Sequence, residues 1–377
     1  MRVALGTTVL EQGLSQGGLD GIGNYSRELL THLKRLPLLD VQPYVFSGAV
    51  SPDRNASILQ AGSFGAQALF ALTTGRPLPG RMSAFAGRFD LVHATDHLIP
   101  CISKIPVIAT LMDAIPLSHP EWVNYSLKGL KNAFWKRSTR WASHVLTISE
   151  YSRQELIEWF GIPERRISVT PLGVEPRWFV APSPAQRERV RQLYQLPSRY
   201  LLFVGTLQPR KNVARLIAAH QMLAPALRRE FPLVVVGRAG WACEKEVQAL
   251  SDGDHGCLRW LNYVPDEDLL PLVSQASALT FPSLHEGFGL PVLEAFAAGV
   301  PVITSNSTSL PEVAGSAALL IDPMKVAEIA DAMNLLLTDD AVSEKLRKLG
   351  RERATRFTWE STAKLTQGVY QQVCESF

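Results

Sequence analysis

The stretch Leu284–Val302, LHEGFGLPVLEAFAAGVPV, decides the fold. An apolar run, LTFPS, ends immediately before it, and the compact apolar segment PVIT overlaps its end. This order predicts a strand, a loop, a helix and a second strand, with polar groups at the carboxyl end of the first strand. Ligands of open α/β sheets bind at that position.

The loop and the helix start have the chemistry of an anion site. Gly287 and Gly289 allow unusual backbone dihedrals and close approach to a ligand. Pro291 suits the first helical position, and Gly299 suits the position that ends the helix. The N–H groups around Gly289 and Leu290 are therefore predicted to face the loop, where they could hold an anion.

Two carboxylates accompany this helix start. Glu286 lies on the loop, and Glu294 is expected in the first helical turn. They either flank one ligand pocket at different depths or are incidental residues of a well-capped helix.

Composition indicates an ordinary globular protein. The chain has 377 residues, which suggests two domains or one large one, with 46% hydrophobic residues and a net charge of +3. That charge is too small to indicate nucleic-acid binding. The four cysteines form no CxxC pair, so neither a zinc site nor a disulfide framework is expected. Without a signal peptide or a long apolar run, we expect a cytoplasmic protein, with peripheral contact to the inner membrane as an open alternative.

The first half predicts strands at 2–6, 90–95 and 106–111. A glycine-rich loop follows the first strand, from Gly13 to Gly23, and then a helix. Strand, glycine loop and helix suit a phosphate, although flexible connectors share the pattern. His93 and His97 are expected at a strand end and in the following loop, as a polar lining rather than a metal site. Asp113 follows its strand directly, either as a functional carboxylate or as a cap.

Residues 124–141, NYSLKGLKNAFWKRSTRW, predict a basic helix with interleaved aromatic residues. Such a helix either lies on an anionic membrane surface or presents a solvated face of a packed domain. Residues 175–198 contain four prolines and a charged stretch, which favours a linker.

The second half opens with a strand, Gly205, a loop holding Arg210 and Lys211, and a helix. Adjacent cations at a helix start oppose the macrodipole, which favours an anion ligand. Arg and Lys both suit phosphate oxygens. The acidic pairs Asp252/Asp254 and Asp266/Asp268 are interpreted as structural, and no metal site is expected.

These motifs together resemble the retaining glycosyltransferases of family 4, which have the two-domain GT-B fold. The resemblance rests on VGTLQPRKN (204–212), LNYVPDEDL (261–269), HEGFGLPVLEAFAAGVPVITS (285–305) and LPEVAG (310–315). In the first half it rests on GIGNYSREL, DLVHAT, MDAIPL, TISEYS and TPLGV. Glu286 and Glu294 match the E-x7-E pair of the family.

The resemblance implies two Rossmann-like parallel-sheet domains facing a central cleft. The implied domains are residues 1–180 on the acceptor side, 181–355 for the nucleotide sugar, and a C-terminal helix, 356–377, that returns to the first domain. Domain closure about the linker would assemble the site.

The resemblance also implies residue roles. Arg210 and Lys211 would neutralise the diphosphate, Glu294 would accept hydrogen bonds from the ribose diol, and Glu286 would contact the donor sugar. The backbone near Val264 would contact the nucleobase. The implied catalytic residues are Glu286, Lys211, Arg210 and Asp113. The implied donor contacts are Gly21, Gly23, Gly205, Thr206, Arg210, Lys211, Val264, Glu286, Phe288, Gly289, Leu290 and Glu294.

The sequence offers no obvious carboxylate nucleophile, and the resemblance implies front-side attack with retention of configuration. The protein would then supply positioning and charge stabilisation. The sequence departs from the family where many relatives have His–Asp and this chain has Met112–Asp113. In the family that histidine often contacts the donor sugar, so its replacement by Met112 suggests a donor with fewer hydroxyls, with Asp113 or His97 taking over part of the role. The acceptor-side candidates are His97, Met112 and Asp113.

We expect an enzyme that moves a hexose, mannose or rhamnose, from a GDP-linked donor. Its acceptor would be a glycan or lipid-linked glycan in O-antigen, lipopolysaccharide or exopolysaccharide assembly, and no metal or other cofactor is expected. The alternatives are a nucleotide-sugar epimerase or hydrolase of the same fold, and a non-catalytic sugar-nucleotide-binding protein.

Overall fold

The computed structural model describes residues 1–46 and 58–377, and within them the chain divides into two compact units. The first unit comprises Met1–Gly173 together with Thr358–Phe377, and the second comprises Val174–Phe357. The C-terminal helix therefore belongs to the N-terminal unit.

A parallel sheet forms the centre of the first unit. Within the described residues its strands are β1 (Arg2–Gly6), β2 (Asp40–Val45), β3 (Leu59–Gln60), β4 (Leu91–Ala94), β5 (Val107–Thr110), β6 (His144–Thr147) and β7 (Ile167–Val169). Their order in the sheet is β3-β2-β1-β4-β5-β6-β7. The chain order reverses between β1 and β4, which is where such sheets open a ligand crevice.

A second parallel sheet forms the centre of the second unit. Its strands are β8 (Leu201–Val204), β9 (Leu233–Val236), β10 (Leu258–Leu261), β11 (Ala278–Phe281), β12 (Val302–Ser305) and β13 (Leu319–Ile321). Their order is β10-β9-β8-β11-β12-β13, so β8 and β11 are neighbours at the reversal point. The central strands are almost uninterrupted apolar runs because helices cover both faces of a parallel sheet.

The helices follow the chain in this order: α1 (Thr8–Ser15), α2 (Gly21–Leu33), α3 (Phe64–Thr74), α4 (Ile115–Ser118), α5 (Lys128–Ser138), α6 (Glu150–Glu155), α7 (Pro184–Leu193), α8 (Val213–Met222), α9 (Pro225–Glu230), α10 (Glu244–Asp252), α11 (Asp266–Val273), α12 (Leu290–Ala297), α13 (Leu310–Ala314), α14 (Val326–Thr338), α15 (Asp340–Ala354) and α16 (Trp359–Ser376).

Two segments are more ordered than the sequence predicted. The glycine-rich stretch between β1 and α2 is not one loop, because residues 8–15 form α1 and Gly21 begins α2. The segment 175–198 contains α7, whose start carries a capping box between Ser183 and Gln186. Local capping therefore outweighed the proline content in this segment.

Helix α16 is tied to the first sheet by buried polar and aromatic contacts. The Tyr370 hydroxyl and His93 Nδ1 are 2.6 Å apart, and Trp359 packs beside Tyr25. Burial lowers the pKa of His93 to about 3, so the imidazole is neutral. His93 is thus a structural residue inside the unit, whereas His97 is exposed.

Candidate active site

Two loops at the reversal point of the second sheet are joined by hydrogen bonds. One follows β8 and the other follows β11. The Leu284 N–H donates to the Arg210 carbonyl at 2.7 Å, and Arg210 Nη1 donates to the His285 carbonyl at 3.1 Å. Asn212, at φ +61°, donates to the carbonyls of Pro282 and Pro323. These contacts fix Arg210 and Lys211 against the loop that follows β11.

A buried carboxylate joins the two cations. Lys211 Nζ donates to Glu286 Oε1 at 2.5 Å, and Arg210 Nη1 donates to Glu286 Oε2 at 2.9 Å. Only 8% of Lys211 and 7% of Glu286 is exposed. The Lys211 ammonium also lies 4.9 Å from the centre of the Phe281 ring. Two adjacent cations and a carboxylate that lies 75 residues beyond Lys211 therefore form one cluster with a net positive charge.

Burial and the neighbouring charges set the protonation of this cluster. Burial lowers the pKa of Lys211 to about 8, with Arg210 acting in the same direction and Glu286 opposing both. Burial alone would raise the pKa of Glu286, but Lys211 and Arg210 outweigh it and lower that pKa to about 2. Glu286 is an anion at neutral pH.

The start of α12 supplies free backbone donors beside the cluster. Gly289 has φ +117°, and a Cβ there would lie 2.8 Å from Leu310. The Ser309 hydroxyl donates to the carbonyl of Glu286 or of Phe288, at 2.8 and 3.0 Å. The N–H groups of Phe288, Gly289 and Leu290 make no hydrogen bond to the described residues. Such donors at a helix N-terminus suit phosphate or hydroxyl oxygens.

Glu294 is the fifth residue of α12, one position beyond the first turn, and is half-buried. Its carboxylate makes no hydrogen bond to the described residues. Burial raises the pKa of Glu294 to about 8, Arg177 opposes that effect, and Glu175 and Asp266 add to it. Sequence reasoning missed Arg177 because it lies in the segment interpreted as a linker.

The remaining donor candidates fall in both units. Gly205 follows β8 at φ +156°, Thr206 is exposed beside it, and Val264 is buried just before α11. Gly21 and Gly23 lie in the first turn of α2, in the first unit, and the Gly23 N–H already donates to the Asp20 cap at 2.7 Å.

The three acceptor-side candidates line one cavity of about 580 Å³ in the first unit. Met112 and Asp113 follow β5, and His97 follows β4. Asp113 Oδ1 accepts from the Ile115 N–H at 3.1 Å, so this carboxylate is also a cap. We call this space the Met112 cavity.

Sequence reasoning missed the other polar groups of the Met112 cavity. Asp96 is buried, and burial raises the pKa of its carboxyl. The indole N–H of Trp135 is buried without a hydrogen-bond partner in the described part of the chain. Their spacing in the sequence carries no signal, because only the sheet brings these segments together.

The acidic pairs hold neighbouring elements together. Asp254 pairs with Arg228 at 2.9 Å, Asp266 pairs with Arg177 at 2.7 Å, and the buried Asp268 pairs with Arg189 and accepts from the Tyr194 hydroxyl. In residues 1–46 and 58–377, no group of three or more His, Cys, Asp or Glu side chains could hold a metal ion. No helix in the same ranges is long and apolar enough to cross a membrane.

Two parallel-sheet units, with a cation–carboxylate cluster and free backbone N–H groups at a sheet reversal point, define the GT-B class of glycosyltransferase. Comparisons with known proteins agree. The Glycosyltransferase Family 4 model matches residues 19–178, and the model for group 1 glycosyl transferases matches residues 185–353.

The chain is similar to the O-antigen chain mannosyltransferase B of Escherichia coli, with 35% identity covering 93% of this chain and 96% of that protein. It is also 32% identical to the serotype-specific mannosyltransferase WbdA of Escherichia coli, over 59% of this chain but only 28% of that protein. The sucrose-phosphate synthase of Thermosynechococcus elongatus has the same fold, with a TM-score of 0.75, 20% identity and complete coverage of both chains.

The chain therefore belongs to the family 4 glycosyltransferases. It is an enzyme that transfers a hexosyl group.

Proposed function

We propose that this enzyme transfers mannose, or a deoxymannose such as rhamnose, with retention of configuration from a GDP-linked donor. The acceptor is a glycan or a lipid-linked glycan in the assembly of O-antigen, lipopolysaccharide or exopolysaccharide. The observation that carries the proposal is the Arg210–Lys211–Glu286 cluster at the start of α12. The similarity to two mannosyltransferases over 93% and 59% of this chain favours mannose.

The diphosphate of the donor binds to Arg210 and Lys211, whose charges also stabilise the negative charge that develops on the leaving group. The free N–H groups of Phe288, Gly289 and Leu290 contribute further donors. On this proposal the cations and the helix N-terminus provide the positive charge, and no metal is required.

The rest of the donor follows the surface around α12. Glu286 accepts hydrogen bonds from sugar hydroxyls, Glu294 accepts from the ribose diol, and the backbone near Val264 contacts the nucleobase. The acceptor hydroxyl attacks the anomeric carbon from the face of the leaving group. It gives its proton to the departing phosphate oxygen, so the protein supplies positioning rather than a covalent partner.

The acceptor binds in the Met112 cavity, where Asp113 and His97 offer hydrogen bonds and Trp135 offers an aromatic surface and a free indole N–H. A lipid-linked acceptor places the enzyme on the cytoplasmic face of a membrane. The exposed leucines and cations of α5 support a peripheral contact with an anionic surface.

A donor screen tests the proposal. Purified enzyme is incubated with GDP-, UDP- and dTDP-linked sugars, with and without a mannose-containing oligosaccharide, and products are separated by mass spectrometry. We expect acceptor-dependent transfer from a GDP-sugar. The absence of both turnover and binding with every GDP-sugar would contradict the donor assignment. Release or rearrangement of the sugar without an acceptor would indicate a hydrolase or epimerase instead.

A further inference from the structure

Helix α5 separates two cavities of the first unit. One face lines the Met112 cavity, and another lines a separate space of about 400 Å³. Four cationic side chains surround this second space: Lys136, Arg137, Arg140 and Arg166. None of the described acidic residues lines it. We call it the basic cavity.

The cations of the basic cavity have no carboxylate partners in the part of the chain that the structure describes. Lys136, Arg137 and Arg140 are exposed. Arg166 is half-buried, and it donates to the carbonyls of Ser143, at 3.2 Å, and Ala142. Burial and the neighbouring Arg165 lower the pKa of Arg166. Four like charges around one space repel each other, and an anion bound there would relieve that repulsion.

The contrast with a neighbouring arginine shows that glutamates are available nearby. Arg153 on α6 pairs with Glu150 at 2.6 Å and with Glu164 at 2.8 Å. Cations in the last turn of α5 complement the helix macrodipole, which explains Lys136 and Arg137 as surface residues. That explanation does not extend to Arg166, which reaches the same space from the segment before β7.

Exposed apolar side chains lie beside the basic cavity. Leu130 is 69% exposed and precedes Ala133 and Arg137, which line the cavity, on one stripe of α5. Leu127 is 70% exposed at the start of the same helix. Cations next to exposed leucines on one helix are typical of a protein surface that lies on an anionic membrane.

We propose that the basic cavity binds the phosphate of an anionic lipid headgroup and thereby holds the first unit against a membrane surface. The guanidinium forks of Arg137, Arg140 and Arg166 match phosphate oxygens in geometry and charge. This inference rests on the peripheral contact proposed above and assigns it to one site.

Vesicle binding tests the assignment. The full-length enzyme is sedimented with vesicles of phosphatidylcholine alone or mixed with phosphatidylglycerol. We expect binding to the mixed vesicles only. Each cation near an anionic surface contributes roughly fivefold in affinity, so Arg137→Gln combined with Arg140→Gln should weaken binding roughly 25-fold. Transfer to a short soluble acceptor should not change, because neither residue lines the Met112 cavity.

A charge-matched control separates a site from general attraction. Lys345→Gln with Lys348→Gln removes the same charge from exposed positions of α15. This double variant should bind vesicles like the parent. The inference is overturned if both double variants lose the same amount of vesicle binding, or if the parent binds neither anionic vesicles nor phosphate. Either result leaves the proposed transfer reaction intact.

Competing anions identify the group that is recognised. Sodium phosphate should displace the parent from vesicles more strongly than sodium chloride of equal ionic strength, and equal displacement contradicts a phosphate site. Calorimetry with inorganic phosphate tests whether the cavity binds a soluble anion, and a Lys211→Ala background weakens competing binding at the donor site. If inorganic phosphate binds and this binding requires Arg137 and Arg140, while vesicles do not bind, the cavity is a site for free phosphate. That result would overturn the lipid assignment.

Discussion

Lys211 and Glu286 form a buried ion pair, with Nζ and Oε1 2.5 Å apart, at the position proposed for the donor diphosphate. Glu286 therefore holds both cations that the phosphates would need, since Arg210 Nη1 also lies 2.9 Å from its other oxygen. Donor binding must redistribute these hydrogen bonds. The pair keeps a buried ammonium charged without a ligand, because an unpaired charge there would be costly.

Replacing Glu286 by Gln should uncouple nucleotide binding from transfer. The amide releases the two cations to the phosphates but no longer accepts strongly from sugar hydroxyls. A hydrogen bond to a charged group contributes about 1.5–3 kcal/mol, so nucleoside diphosphate affinity should rise roughly tenfold while kcat falls. Calorimetry and initial rates measure both. The matched variant Glu344→Gln on α15 should change neither, and weaker nucleotide binding by Glu286→Gln would contradict this account.

Lys211→Ala should remove transition-state stabilisation. Loss of one donor to a developing negative charge lowers kcat by roughly 10²–10³-fold. The fold should persist, because Arg210 still neutralises Glu286. Initial rates measure the loss of kcat, and circular dichroism checks that the fold persists. Lys325→Ala, an exposed cation of the same unit, is the control, and near-normal transfer by the Lys211 variant would exclude its assigned role.

Glu294 should make stability depend on pH. Its pKa in the folded protein is raised to about 8, so the folded state holds a proton that the unfolded state releases near pH 4.5. The stability it contributes is complete below about pH 4.5 and is lost as the pH rises through 8. Glu294→Gln should lose this dependence and gain stability relative to the parent at high pH. Urea unfolding at several pH values measures this, with the exposed Glu267→Gln as control.

The same carboxyl should release a proton when nucleotide binds. A ribose diol that donates to Glu294 favours its ionised form and lowers its pKa. The calorimetric heat at pH 7 should therefore depend differently on the ionisation enthalpy of the buffer in the parent and in Glu294→Gln, and the difference reports the proton released by Glu294. Identical buffer dependence in both proteins would argue against a ribose contact.

Asp113→Asn should separate the charge of this residue from its structural role. The amide oxygen can still accept from the Ile115 N–H, so stability should change by less than about 0.5 kcal/mol. If Asp113 binds the acceptor, kcat/KM for the acceptor should fall roughly tenfold while the nucleotide dissociation constant stays constant. Asp331→Asn on α14 serves as control. Unchanged acceptor kinetics would reduce Asp113 to a cap.

Met112→His should alter the choice of donor. Imidazole adds hydrogen-bonding capacity where the parent offers a thioether, so the kcat/KM ratio should shift roughly tenfold towards mannose over a deoxymannose donor. Met112→Leu keeps an apolar wall of similar volume and should leave the ratio unchanged. A ratio that Met112→His does not alter would remove this residue from donor selection.

Several local features were predictable from the sequence. The strand–loop–helix–strand unit around Gly287 and Gly289 follows from hydrophobic runs and from residues that only certain backbone positions tolerate, and the structure confirms Gly299 just after α12 at φ +74°. The return of α16 to the first unit came from the family resemblance. Glycine content misled between β1 and α2, where residues 8–15 are helical. Proline content misled at α7, where a capping box fixes the start of the helix.

By itself the sequence predicted most of the strands and the identity of the charged residues near strand ends, because these depend on period and turn chemistry. The two parallel-sheet domains were implied by the family resemblance. Only the tertiary structure decided which charges meet. It placed Glu286 on Lys211 across 75 residues, brought Arg177 near Glu294, and gathered four cations around the basic cavity. Pairing and burial depend on distances in space, and burial sets whether a carboxyl such as Glu294 keeps its proton.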